Sequence, residues 1–151
     1  MEMNRRDFGV AMAAFAALGL TASAQGNGDA DLSSSRVFKF EDLVEHKSDN
    51  GGWSRAITHG TLPTGEFMEL HETMLPPGKM PHPPHKHRHS EFMMVREGQL
   101  EFDSDGTPER VGPGGVIFAA SDVMHGLKNV GDVDANYFVI AIGRESGAMP
   151  V

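Results

Sequence analysis

From residue 36 onward the chain is cut by glycine, proline, asparagine and aspartate, and no stretch between the cuts keeps a helical period. Turn signals at intervals of roughly eight to twelve residues leave room only for short strands. Residues 53–59, 66–75, 92–95, 99–103, 116–119, 126–130 and 135–142 are predicted strands, and 36–40 alternates enough to be a first one. Residues 41–47 are expected to make one helical turn. Turns fall at Glu97-Gly98, Ser104-Asp105-Gly106 and 112–115, and the run 135–142 is the most β-prone of all. The expected fold class is all-β, a sandwich or barrel, and a jelly roll closes such an inventory with the fewest free edges. No internal repeat is visible, so one unit is expected.

One stretch carries chemistry. His82, His85, His87 and His89 are followed at once by Glu91 and by the apolar run Phe92-Met93-Met94-Val95. On extended backbone, residues two apart project to one face, so His85 and His87 can point at one cation. Imidazole with an added carboxylate suits Zn, Fe, Mn, Ni or Cu and does not suit Ca. Pro81, Pro83 and Pro84 hold the approach extended. His82 and His89 are read as solvent-exposed, with His82 reaching the mouth of the site as the alternative, and His46, His59 and His71, outside any motif, as structural. On the strand 66–75, Met68, Leu70, Glu72 and Met74 share one face, with Phe67, Glu69, His71, Thr73 and Leu75 on the other. Glu72 is the carboxylate to watch there, as a group buried near the site or an edge residue facing water. Met68, Met74, Met93, Met94 and Met124 are read as packing, with an adaptable pocket wall as the alternative. Parity with Glu91 places Met93 and Val95 inside.

The pattern Gly78, His85-x-His87, Glu91 and Gly98 resembles the first motif of the cupins. That family usually has five residues between its first glycine and first histidine, where this chain has six. Gly114, Ala120-Ser121-Asp122, His125 and Asn129 are similar to the second motif, with Ala120 and Asp122 where family members usually place Pro and Gly. The resemblance implies a single cupin jelly-roll barrel with four metal ligands at His85, His87, Glu91 and His125. It also sets Asn129 beyond His125, either orienting that ligand or capping a turn.

The partition expected is a leader at 1–24, a linker at 25–35, the domain at 36–143 and a tail at 144–151. Arg5-Arg6-Asp7-Phe8, an Ala-rich run to Leu20 and Ala22-Ser23-Ala24 describe a secretory signal peptide. The first of these resembles the twin-arginine export motif, so a periplasmic or secreted location is expected. The run is short of the ~20 strongly apolar residues of a spanning helix. Net charge is −8, and dropping the leader leaves 11 basic against 19 acidic residues. That balance argues against nucleic acid or anionic membrane as partner, since both want Lys/Arg patches. A small-molecule substrate is the expected partner, and a homodimer is compatible with the sequence. With no cysteine, disulfides and thiolate ligands are excluded.

Three imidazoles and a carboxylate leave one or two open positions on a five- or six-coordinate ion. The cofactor expected is therefore one divalent transition metal (Fe, Mn, Ni, Cu or Zn), and the leading reading is an exported mononuclear metal enzyme. Within it, a dioxygenase-like oxidoreductase acting on an enol, phenol or similar chelating substrate is favoured, because no further acid/base residue stands out. The alternative is a non-catalytic, metal-dependent module that binds a small molecule or sugar. A redox-active ion separates the first from the second.

Overall fold

The computed structural model describes residues 31–143. The expected leader, most of the linker and the tail lie outside the described residues. Among the described residues nine strands follow a short 3-10 turn at Phe40–Asp42. They are β1 (His46–Lys47), β2 (Trp53–Thr61), β3 (Phe67–Leu75), β4 (Ser90–Glu97) and β5 (Leu100–Ser104). After these come β6 (Thr107–Val111), β7 (Val116–Ala119), β8 (His125–Asn129) and β9 (Ala135–Gly143). They form two sheets, ordered β1-β2-β3-β9-β4-β7 and β6-β5-β8, and every strand pairing is antiparallel. The fold is all-β, a two-sheet sandwich, as the turn spacing implied. Among the described residues no helix is long and apolar enough to cross a membrane.

The core lies between the sheets. Met93 and Val95 of β4, Ile117 and Ala119 of β7, and Ala135, Tyr137 and Val139 of β9 meet Leu100 and Phe102 of β5 and Leu127 of β8. Burial follows the period of two: on β9 residues 135, 137, 139 and 141 are buried, while Phe138, Ile140 and Ile142 are less so. Cross-strand partners share a face, so the register fixes which side of each neighbour looks inward. Val139 opposes His71, and Ala141 opposes both Glu69 on β3 and Glu91 on β4. The inward face of β3 therefore carries Glu69, His71, Thr73 and Leu75. Met68, Leu70, Glu72 and Met74 face out.

Two segments depart from expectation. Residues 36–39 are irregular rather than a strand, and the helical turn spans only Phe40–Asp42 before the two-residue β1. Alternation describes what a pleat would present; it does not supply a partner edge, and the arm instead rests side chains on β2. The Arg55 guanidinium stacks between the Phe40 ring at 4.0 Å and the Trp53 ring at 4.7 Å, and bonds the Glu45 carboxylate at 2.8 Å. The second departure is β6, a strand over residues that the sequence pattern assigns to no element. Asp105 and Gly106 both take positive φ, 51° and 85°, the two-residue hairpin turn that returns β5 as β6. Pro108 is tolerated there because β6 is an edge strand.

Candidate metal centre

Three elements meet at the site. The loop after Pro84 supplies His85 and His87, β4 supplies Glu91, and β8, in the opposite sheet, supplies His125 at its first residue. His85 and His125 form a two-residue antiparallel bridge, N–H of each to the carbonyl of the other at 2.9 and 2.8 Å. That backbone pair sets their rings side by side, with centroids 4.9 Å apart. The His87 carbonyl accepts from the Asp122 N–H at 2.7 Å, and Ser121 Oγ donates to the Arg88 carbonyl at 2.6 Å. Asp122 itself takes φ 61°, the left-handed conformation that favours glycine. The loop before His125 thus keeps a glycine-like bend without a glycine.

The result is a convergence of imidazoles. His85, His87 and His125 each offer a ring nitrogen, all within 4.8 Å of one another. Glu91 brings its carboxylate to 3.3 Å from His87 Nε2 and 3.9 Å from His125 Nε2. The structure therefore brings together all four residues expected from the motif. His87 Nδ1 faces the His89 carbonyl at 2.8 Å, and His125 Nδ1 faces the Val123 carbonyl at 2.9 Å. A carbonyl only accepts, so Nδ1 carries the proton in both rings and Nε2 is left to present a lone pair inward. His87 Nε2, His125 Nε2 and His85 Nδ1 are buried with no hydrogen-bond partner. Leaving three buried ring nitrogens unsatisfied costs on the order of 1–3 kcal/mol each. One divalent transition-metal cation would satisfy all three, and the donor set suits it.

The sequence profile of the Cupin domain family matches residues 71–141, a span that contains every one of these side chains. Over that stretch the chain is similar to cupin domains. No curated protein sequence matches the chain. Among solved structures, KdgF from Halomonas sp. is similar at 19% identity and a TM-score of 0.63, over 75% of this chain and 97% of that one. A predicted oxalate decarboxylase from Thermotoga maritima is similar at 22% identity and a TM-score of 0.58, over 71% and 98%. The polyketide cyclase RemF from Streptomyces resistomycificus is similar at 20% identity and 0.57, over 72% and 80%. At such identities the likeness is one of fold.

Electrostatics ready the site for a cation. Burial, reinforced by the neighbouring His82, His125 and His87, lowers His85 to about 4, so it is neutral at physiological pH. For His87 burial pulls down, but the Glu91 carboxylate beside it wins and raises the ring above its ordinary 6.5. Burial would raise Glu91, yet the His87 ring 3.3 Å away and the contact from His89 hold it well below the usual carboxylate range. An arriving cation therefore finds an ionised carboxylate beside a neutral His85, and competes with protons for His87.

The remaining sequence candidates separate cleanly. His82 is exposed, as expected, with its ring edge-on to His85 at 4.1 Å between centroids. His89 is not the exposed residue expected: it stacks on His87 at 3.6 Å between centroids and donates from Nε2 to Glu91 Oε1 at 3.0 Å. Its parity with His85 and His87 was the signal for that position. Glu72 is buried but on the outer face, paired with Arg96 at 3.3 Å, so it is not an acid or base of this site. Asn129 does not touch His125. It donates to the Leu75 and Val133 carbonyls, both at 2.8 Å, and accepts from the Gly131 N–H at 2.9 Å, which makes it a turn cap.

Proposed function

We propose that this chain is an exported metal-dependent enzyme, a dioxygenase-like oxidoreductase acting on a small chelating enol or phenol. The observation that carries the metal part is the set of three buried, unpartnered imidazole nitrogens beside the Glu91 carboxylate. His85, His87, Glu91 and His125 would hold the ion, which when bound supplies Lewis acidity and, for a redox-active metal, electron transfer. The chain's own contribution is a rigid, preset donor geometry and an apolar surround. Met93 and Phe102 are buried around the donors, and the Phe102 ring lies 5.8 Å from that of His125. Export is proposed from Arg5-Arg6 and Ala22-Ser23-Ala24, and with it the division into leader, linker, domain 36–143 and tail.

One preparation tests these readings together. Protein from the exported fraction should begin near Gln25 and carry about one transition metal per chain. With catechol as probe it should consume O₂, and Glu91→Gln should stop that uptake while the fold persists. An N-terminus still at Met1 removes the export reading. Zinc or no metal, or catechol binding with no O₂ uptake, favours the alternative of a non-catalytic binding module.

We also propose a second copy of the chain as partner. Phe92, Met94, Val116, Phe118 and Ile142 are exposed on the outer face of β9, β4 and β7, and the arm exposes Val37, Phe38, Phe40 and Val44. At ~150–200 Å² per large apolar side chain, about half of it exposed, these present roughly 800 Å², the share per partner of a standard interface. By contrast the outer sheet of β5, β6 and β8 carries Glu101, Glu109, Arg110 and Lys128 and suits water. A dimer is expected by sedimentation, and Phe92→Asp with Phe118→Asp should make it monomeric with its β spectrum intact. A monomeric parent chain at micromolar concentration rejects the dimer.

A further inference from the structure

The inner face of the six-stranded sheet holds a second polar group that the metal site does not use. His71 Nδ1 lies 3.2 Å from Glu69 Oε1, and the two side chains retain 20% and 16% of their exposure. They are shielded but reachable by a small solute. Register places them beside the metal centre: Glu91 opposes Ala141, which opposes Glu69, which opposes His59 on β2. The row runs straight across four strands on one inward face. Glu69 is therefore two strand spacings, roughly 10 Å along the sheet, from Glu91. The residue between them is an alanine, so no large side chain fills the interval. One row over, Val139 separates Met93 from His71. In register with the pair stand His59 on β2 and, across Ala141, Glu91 on β4.

Resting on the metal reading above, we propose that Glu69 and His71 are the proton-accepting end of this site. The substrate class is a small enolisable compound with two neighbouring oxygens, of the 2-oxo acid or 1,2-dioxygenated kind. A carboxylate only accepts, so Glu69 fixes the His71 tautomer with the proton on Nδ1 and stabilises the imidazolium that forms when the ring takes another. Oxygens engaged at the His85–His87–Glu91–His125 end leave the adjoining carbon facing along the row toward β3. In the step, a C–H bond next to the carbonyl breaks and its electron pair stays on the substrate, delocalised into that carbonyl. The proton passes to His71. Reversal returns a solvent proton, and no oxidant or reductant is consumed. In an oxidative reaction the same acceptance readies an enol or phenol for electron loss.

Pyruvate is the probe, with the mature chain loaded with cobalt(II) in D₂O. Binding is read from the cobalt absorption spectrum, and proton transfer from loss of the methyl signal by NMR. The parent protein should exchange the methyl protons. His71→Gln should slow exchange about 100-fold or more, the scale of a lost general base, and Glu69→Gln should slow it less. Both variants should keep cobalt and the pyruvate-induced spectral change, and added imidazole should restore part of the rate in His71→Gln, which a merely structural role would not allow. Exchange that is absent, or that proceeds at the parent rate in His71→Gln, overturns the role of the pair. Cobalt bound without a pyruvate response overturns the substrate class. Failure to bind cobalt overturns the metal reading itself.

Discussion

Replacing His125 with alanine should lower the affinity for a divalent transition metal by more than ~10²-fold, beyond the 10–100-fold typical of losing a group that only orients a ligand. His125 is 34 residues from Glu91 in sequence, and no local cluster supplies it. It arrives because β8 lies in the opposite sheet and its first residue bridges to His85 through two backbone hydrogen bonds. Those bonds survive the substitution, so the loop keeps its course and the loss is that of one buried nitrogen donor. His89→Ala should cost less, about 10–100-fold, because His89 only stacks on His87 and holds Glu91. His82→Ala should cost least, since that ring is exposed and offers nothing to the cluster of three. Competition titration with a chromophoric chelator reads all three. If His82→Ala or His89→Ala releases the metal while His125→Ala retains it, the local histidine run is the site and β8 is not part of it.

How far the sequence disclosed this arrangement depends on which question a pattern can answer. The runs at 116–119 and 135–142 become β7 and β9 almost residue for residue, because each is an unbroken β-prone run bounded by turn residues. A period of two, however, names two faces and does not say which one is inward. On β3 the sequence drew attention to Met68, Leu70, Glu72 and Met74 as the apolar face, and the register shows that the other face lines the interior. Glu69 and His71 therefore carry no signal in the sequence, whereas Glu72, a carboxylate among apolar neighbours, does. Thr107–Val111 lacks apolar alternation altogether and became a strand through the tight turn at Asp105-Gly106. For the site, the two motifs were enough to name four residues that converge. The position of His89 was also available from parity. The depth of burial of each nitrogen was not, since it depends on Phe102, Met93 and the facing sheet, which only the tertiary fold brings up.

Asn129→Ala is expected to cost about 3–4 kcal/mol of stability. The side chain has no exposed surface and makes three hydrogen bonds to backbone in separate segments. One reaches the Leu75 carbonyl at the end of β3, one the Val133 carbonyl in the loop before β9, and one accepts from Gly131. Alanine leaves two carbonyls and one N–H without that partner, each costing roughly 1–3 kcal/mol when water cannot reach it. The Leu75 carbonyl is on the buried bond and the other two are only part-buried, so the sum falls well short of three full penalties. Backbone bonds from Gly78 N–H to the Asn129 carbonyl and from Asn129 N–H to the Lys79 carbonyl remain, so the strand should stay in register. Asn129→Asp should be no milder, because it keeps the acceptor for Gly131 but turns two carbonyl oxygens toward a carboxylate. For a domain of this size the loss corresponds to a fall of roughly 15 °C in melting temperature. Thermal unfolding followed by circular dichroism reads it, and metal affinity measured well below the transition should change by only a few-fold. A melting temperature within 2–3 °C of the parent, about 1 kcal/mol or less, would mean that water replaces the amide and that Asn129 holds nothing together.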